Sequence, residues 1–129
     1  MLIKKQRSAL LVIDVQEKLL GGVHQNEQLV NNCRWLMQLA QLVEVPVLAS
    51  EQYPQGVGPT TEVLRELLPA SDFVGKTHFS CADAPDCMAR IDTLGRDQII
   101  ICGMEAHVCV LQTALRLHQL GKSVYVVAD

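Results

Sequence analysis

The chain has 129 residues, 49% of them hydrophobic and 19% charged, with a formal net charge of -3. A chain of that length and balance can bury a real core as one domain, which excludes intrinsic disorder. Its mild acidity and an aromatic content of 4% leave no charge-driven or base-stacking case for a nucleic-acid partner, and no charge-driven case for an anionic membrane surface.

Residues 8–13 are a short unbroken apolar run, the pattern of a strand covered on both faces, and the run stops at Asp14. Leu29, Cys33, Leu36, Ala40 and Val43 then recur at helical spacing, predicting a helix over 27–43 with Asn26 as its N-cap. Residues 45–49 predict a second strand, with Pro46 near its start, where no ladder donor is needed. After a turn-rich loop over 52–59, Thr60 or Thr61 is placed to cap a short helix running to Leu68. A strand over 72–76, a helix over 86–94, a strong strand over 98–102, a helix over 107–120 closed by Gly121, and a fifth strand over 123–127 complete the order.

Strands alternating with helices at this rhythm predict a parallel sheet, because right-handed crossovers set a helix between parallel neighbours. The expected fold is α/β: a doubly wound, three-layer α/β/α Rossmann-like domain over residues 1–129, without repeats or linkers. The fifth strand is apolar on both faces, Val124 and Val126 on one and Tyr125 and Val127 on the other. It therefore expects cover on both sides, and the domain is read as the first part of a longer one, lacking a C-terminal strand and its helices.

The five cysteines, Cys33, Cys81, Cys87, Cys102 and Cys109, are an odd set with no CxxC pair, and the N-terminus has no secretory pattern. Free thiols in a reducing cytoplasm are expected. The longest apolar run is too short to span a bilayer.

In open α/β sheets the ligand binds beyond the carboxyl ends of the strands. The reactive residues falling there are Asp14 and Gln16, then Glu51, Gln52 and Tyr53, then Lys76 with His78, Phe79 and Ser80, and finally the segment 103–109 ending in Cys109. Taken singly they are ordinary: an Asp that forms a turn, a solvated Lys, a Cys acting as a small hydrophobe. Converging on one rim, they supply a thiol, a helix start and an ammonium that favour its thiolate, and a carboxylate to take its proton.

Residues 11–16, 76–80 and 103–110 resemble the three motif regions of the isochorismatase-like cysteine hydrolases, which include isochorismatases, nicotinamidases and N-carbamoyl amidohydrolases. Residues 50–60 are more similar to the isochorismatase-domain subgroup. The resemblance implies a catalytic triad of Asp14, Lys76 and Cys109. It also implies a cis peptide before Glu105 and an oxyanion hole formed by the backbone amides of Glu105 and Cys109. Gln16, Gln52, Tyr53, Phe79 and His107 are the candidate pocket walls. The implied chemistry is hydrolysis of a C–N bond, amide or carbamoyl, through a thioester on Cys109.

Nicotinamidases carry an Asp-x-His metal site after the second strand; here Glu51, Gln52, Tyr53 and Pro54 stand there, so neither a metal nor a cofactor is expected. Isochorismatases cleave a vinyl ether and often lack the cysteine, so Cys109 favours the C–N reaction. The expected partners are a small-molecule substrate and further copies of the chain in a homo-oligomer, without nucleic acid or membrane. Four rivals remain: an isochorismatase-type ether hydrolase, a non-enzymatic scaffold, a thiol sensor at Cys109, and a zinc site of His78, Cys81 and Cys87, whose spacing suits zinc poorly.

Overall fold

The computed structural model describes residues 2–104 and 106–127, leaving out the side chains of Ala106 and His107. In chain order it runs β1 (Ser8–Ile13), α1 (Glu17–Leu20), α2 (Asn26–Leu42), β2 (Val47–Gln52), α3 (Pro54–Val57), α4 (Glu62–Arg65), β3 (Phe73–Lys76), α5 (Pro85–Leu94), β4 (Gln98–Gly103), a π-helical turn over Ala106–Val110, α6 (Leu111–Gln119) and β5 (Ser123–Val126). No helix among the described residues is long and apolar enough to cross a membrane.

The five strands are all parallel, in the order β3-β2-β1-β4-β5. This is the doubly wound arrangement expected from the alternation of elements, with its switch point between β1 and β4. β1 lies at the centre and is buried at every position, as its unbroken apolar run requires. Its alternating side chains feed two cores. Leu10 and Val12 pack with Cys33, Met37 and Ala40 of α2, while Ala9, Leu11 and Ile13 pack with Ile91 of α5 and Leu117 of α6.

Register brings the strand ends to one rim. Ile13 lies opposite Ser50 on one side and Gly103 on the other, and Gln52 lies opposite Lys76. Gly103 has φ +118, and a Cβ there would fall 2.2 Å from the Ile13 carbonyl oxygen. That close approach lets the Met104 amide donate to Ile13 O at 2.9 Å, closing the sheet directly beneath the crevice.

Several boundaries differ from expectation. Gln25, in a left-handed conformation at φ 56, takes the N-cap position of α2, and the Asn26 side-chain Nδ2 donates instead to Leu20 O of the turn before it. β2 starts later and runs through Glu51 and Gln52, because pairing with β3 holds its polar end in the sheet. α4 is a single turn; Thr61 precedes it without a side-chain cap, its own amide bound to Val15 O. The helix expected over 107–120 divides into the π turn and α6. β5 is half covered: Val124 packs on the core, while Val126 and Val127 are exposed.

Candidate active site

Asp14 follows the last residue of β1 with φ 55, a left-handed conformation that Asp tolerates better than most residues and that turns the chain out of the sheet. Its amide donates to Ser50 O at 3.1 Å, fixing the backbone. The Ser50 hydroxyl donates to Oδ1 at 2.8 Å, and Oδ2 lies 3.0 Å from the Lys76 ammonium. Both side chains of this ion pair are buried, 1% and 0% exposed.

Lys76 ends β3, two residues after Val74 and on the same inward face. A buried ammonium is tolerated only where acceptors replace water. Around this one stand Asp14 Oδ2 at 3.0 Å, Gln52 Oε1 at 2.7 Å, the carbonyls of His78 at 3.0 Å and Phe79 at 3.3 Å, and Cys109 Sγ at 3.5 Å. The chain after β3 therefore wraps its own backbone around the cation.

Cys109 lies in the π turn that leads into α6, with 7% exposure. Such turns are rare and are found disproportionately at functional sites. Burial pushes its thiol up to about 12, and the hydrogen bond and charge of Asp14 push in the same direction, together outweighing the pull of Lys76. This corrects the expectation of a depressed thiol. At neutral pH the resting sulfur keeps its proton, held toward the carboxylate that could take it.

The remaining candidates separate clearly. Gln52 touches Lys76 and is half-buried, whereas Tyr53 and Phe79 are exposed, at 53% and 60%. Gln16 is not a pocket wall: it is wholly buried, with Nε2 donating to Gln52 O and Gly58 O and Oε1 accepting from Gln52 N. Glu51 turns away to accept from the amide and hydroxyl of Thr60. Glu105, with the cis peptide implied before it, and the side chain of His107 lie outside the described residues.

For the zinc rival, His78 is exposed, while Cys81 and Cys87 are buried in one apolar cluster. Among the described residues no group of three or more His, Cys, Asp or Glu side chains is arranged to hold a metal ion.

Two contributors escaped the sequence reading. Ser50 orients Asp14, and Thr113, one turn beyond Cys109, accepts from the Cys81 amide and so ties α6 to the segment that encloses Lys76. A buried hydroxyl on an apolar strand or helix face is the signal that could have exposed both.

Residues 8–129 match the family model described as the isochorismatase domain. Isochorismatase domain-containing protein 2 of Homo sapiens is 38% identical over 128 residues, covering 95% of this chain and 58% of that protein. The chain thus spans less than two thirds of the length of such relatives. Two solved structures are similar across 97% of it. One is titled MAR1 ribonuclease from Caenorhabditis elegans, with TM-score 0.87, 35% identity and 64% of that chain covered. The other is the YcaC gene product of Escherichia coli, titled an octameric hydrolase of unknown specificity, with TM-score 0.88, 26% identity and 63% covered.

Proposed function

The chain belongs to the isochorismatase family, and from that premise we propose that it serves a hydrolase acting on the C–N bond of a small amide or carbamoyl compound through a thioester on Cys109. One observation carries this reading. The Lys76 ammonium lies 3.0 Å from the Asp14 carboxylate and 3.5 Å from the Cys109 sulfur, so a thiol, a proton acceptor and a cation meet in a buried corner where packing alone would ask for none of them.

In this mechanism Asp14 takes the thiol proton as the sulfur bonds to the carbonyl carbon, and Lys76 offsets the anionic charge that forms. The amides of Glu105 and Cys109 are assigned to the oxyanion. Collapse breaks the C–N bond, and the nitrogen leaves with the proton from Asp14. Asp14 then takes a proton from water as the water adds to the thioester. The acid departs, and that proton returns to sulfur. No metal or cofactor is assigned a step.

The free state of all five cysteines supports a reducing compartment such as the cytoplasm. The octameric relative, together with exposed Trp35, Leu39 and Leu42 along one stripe of α2, supports a homo-oligomer. Nucleic acid is not proposed as substrate, because the Lys76 charge is matched by Asp14 and the chain as a whole is acidic.

The deciding experiment offers the protein an activated ester, p-nitrophenyl acetate, followed by a panel of primary amides and carbamoyl compounds, with mass spectrometry after acid quench. The expected result is an acyl adduct on the Cys109 peptide, lost in Cys109→Ala, and an amide turnover that is lost in both Cys109→Ala and Asp14→Asn. Amide turnover that survives Cys109→Ala would overturn the thioester on Cys109 and leave direct attack by water. A folded full-length protein that never acylates would leave the scaffold reading.

A further inference from the structure

We propose that Gln52 is a specificity-determining residue: its carboxamide N–H2 group donates to a hydrogen-bond acceptor that the substrate carries close to the scissile carbonyl. The inference rests on the cysteine-hydrolase reading and adds a substrate class to it, namely amides or carbamoyl compounds bearing a second carbonyl or carboxylate near the reacting group.

The first step is a matter of donor chemistry. An ammonium has three protons and no acceptor, so the Gln52 atom 2.7 Å from Lys76 Nζ has to be the amide oxygen. That choice fixes the other end: Nε2 is bonded to the same carbon and turned away from the cation. Among the described residues Nε2 has no protein acceptor, and the half-buried side chain leaves it accessible. A cation on the oxygen also polarises the amide and strengthens its N–H groups as donors.

The second step is rigidity. Gln52 is held at both backbone groups by one side chain. Gln16 Oε1 accepts from Gln52 N at 2.7 Å, and Gln16 Nε2 donates to Gln52 O at 3.0 Å. Gln16 continues that pairing to Gly58 O at 2.7 Å and is itself fully buried. On the other side, Gln52 lies in register with Lys76 in β3. Backbone clamp and cation contact together preset the amide before a ligand arrives, which lowers the ordering cost of binding.

The third step is position. The same ammonium touches Gln52 Oε1 at 2.7 Å and Cys109 Sγ at 3.5 Å, so the Gln52 carboxamide and the nucleophile sit on one nitrogen. A small molecule whose carbonyl carbon meets the sulfur brings its neighbouring substituents alongside the Gln52 amide. A donor in that place rewards an acceptor and is left unpaired by a methylene.

The test uses acetoacetamide and butanamide, which share a skeleton and differ by one carbonyl. Two readouts are taken on the intact chain: protection of Cys109 from iodoacetamide, followed by mass, and ammonia release. The wild type should bind acetoacetamide about tenfold more tightly than butanamide, the span one hydrogen bond supplies. Gln52→Glu keeps an acceptor for Lys76 and removes the donor, so it should abolish or reverse that preference while still binding butanamide; Gln52→Ala should abolish it. Equal binding of the two amides by the wild type, binding of neither, or equal loss for both in the variants overturns the proposal and leaves Gln52 a support for Lys76. Turnover without preference spares the hydrolase reading and sinks this one. Preference without any ammonia release does the reverse.

Discussion

Asp14 and Lys76 form an ion pair at 3.0 Å whose side chains are both buried, and each has further partners, Ser50 for the carboxylate and Gln52 with two backbone carbonyls for the ammonium. Burying two charges is expensive, and attraction repays the cost only when the remaining protons and lone pairs are also satisfied. Here Ser50, Gln52 and the two carbonyls supply those partners, so the pair stands only while both of its members are present. Lys76→Met should destabilise the protein by about 3–5 kcal/mol, because it leaves a carboxylate in the interior without its cation. Adding Asp14→Asn should restore part of that loss. Urea unfolding of the two single variants and the double variant measures it, and strictly additive losses would show that the two groups are not coupled.

The same carboxylate that would activate Cys109 also holds its thiol protonated, and this produces opposite effects on reactivity and turnover. Burial and Asp14 raise the thiol to about 12, while Lys76 lowers it. Alkylation of Cys109 by iodoacetamide should accordingly keep rising with pH past 9 instead of levelling near the ordinary thiol value. Asp14→Asn should speed alkylation at a fixed pH and abolish hydrolysis. A slower thiol in Asp14→Asn would contradict the assigned geometry. For stability the sign follows from proton uptake. The folded thiol binds its proton more tightly than the unfolded one, so this contribution is complete below pH 9 and is lost as pH rises toward 12. Urea midpoints of the wild type should fall across that window more steeply than those of Cys109→Ala.

Much of the fold was legible because β1 and β4 are unbroken apolar runs, and such runs belong to central parallel strands whatever their neighbours. The end of β2 was not, because Glu51 and Gln52 are polar and pairing with β3 is a property of register, which a single sequence does not display. Asp14, Lys76 and Cys109 stood out by residue type and by their places after strands. The state of the thiol did not, since a helix start and a nearby lysine argue for ionisation while burial beside a carboxylate argues more strongly against it. Gln16 misled for a related reason. An amide next to a candidate catalytic position suggests substrate binding, and its use as a backbone clamp on Gln52 becomes visible only when two strand ends are brought together.

Ser50 shows what that register supplies. Its hydroxyl donates at 2.8 Å to the Asp14 oxygen that Lys76 does not hold, and both residues are 1% exposed. Ser50→Ala should cost about 1.5–3 kcal/mol, the range for a hydrogen bond to a charged group. It should also reduce acylation of Cys109, because the carboxylate loses the contact that orients it. Unchanged unfolding midpoint and unchanged acylation would mean that the Asp14 backbone alone positions the group.

The stripe of Trp35, Leu39 and Leu42 on α2 is exposed at 64%, 39% and 80%, more apolar surface along one helix than a solvated face requires. Trp35→Glu with Leu42→Lys should reduce the mass measured by light scattering after size exclusion, with the alkylation profile of Cys109 unchanged. An identical mass for variant and wild type would remove this face from the assembly.

Gly103 is where the crevice depends most directly on the absence of a side chain. Its φ of +118 disfavours any L residue, and an added Cβ would sit 2.2 Å from Ile13 O and 2.7 Å from Ile13 N. Neither atom can yield, because both belong to the central strand that carries Asp14. Gly103→Ala should therefore cost more than about 4 kcal/mol, the size reserved for a core clash combined with backbone strain. Gly95 is the control: it also has positive φ, at +65, but no atom lies within 4 Å of the added carbon. Gly95→Ala should cost about 1–2 kcal/mol, the conformational penalty alone. Urea unfolding of the two variants separates the effects. If both lose the same amount, the close approach of β4 to β1 carries no weight of its own, and the crevice is held by the hydrogen bonds around Asp14 and Lys76.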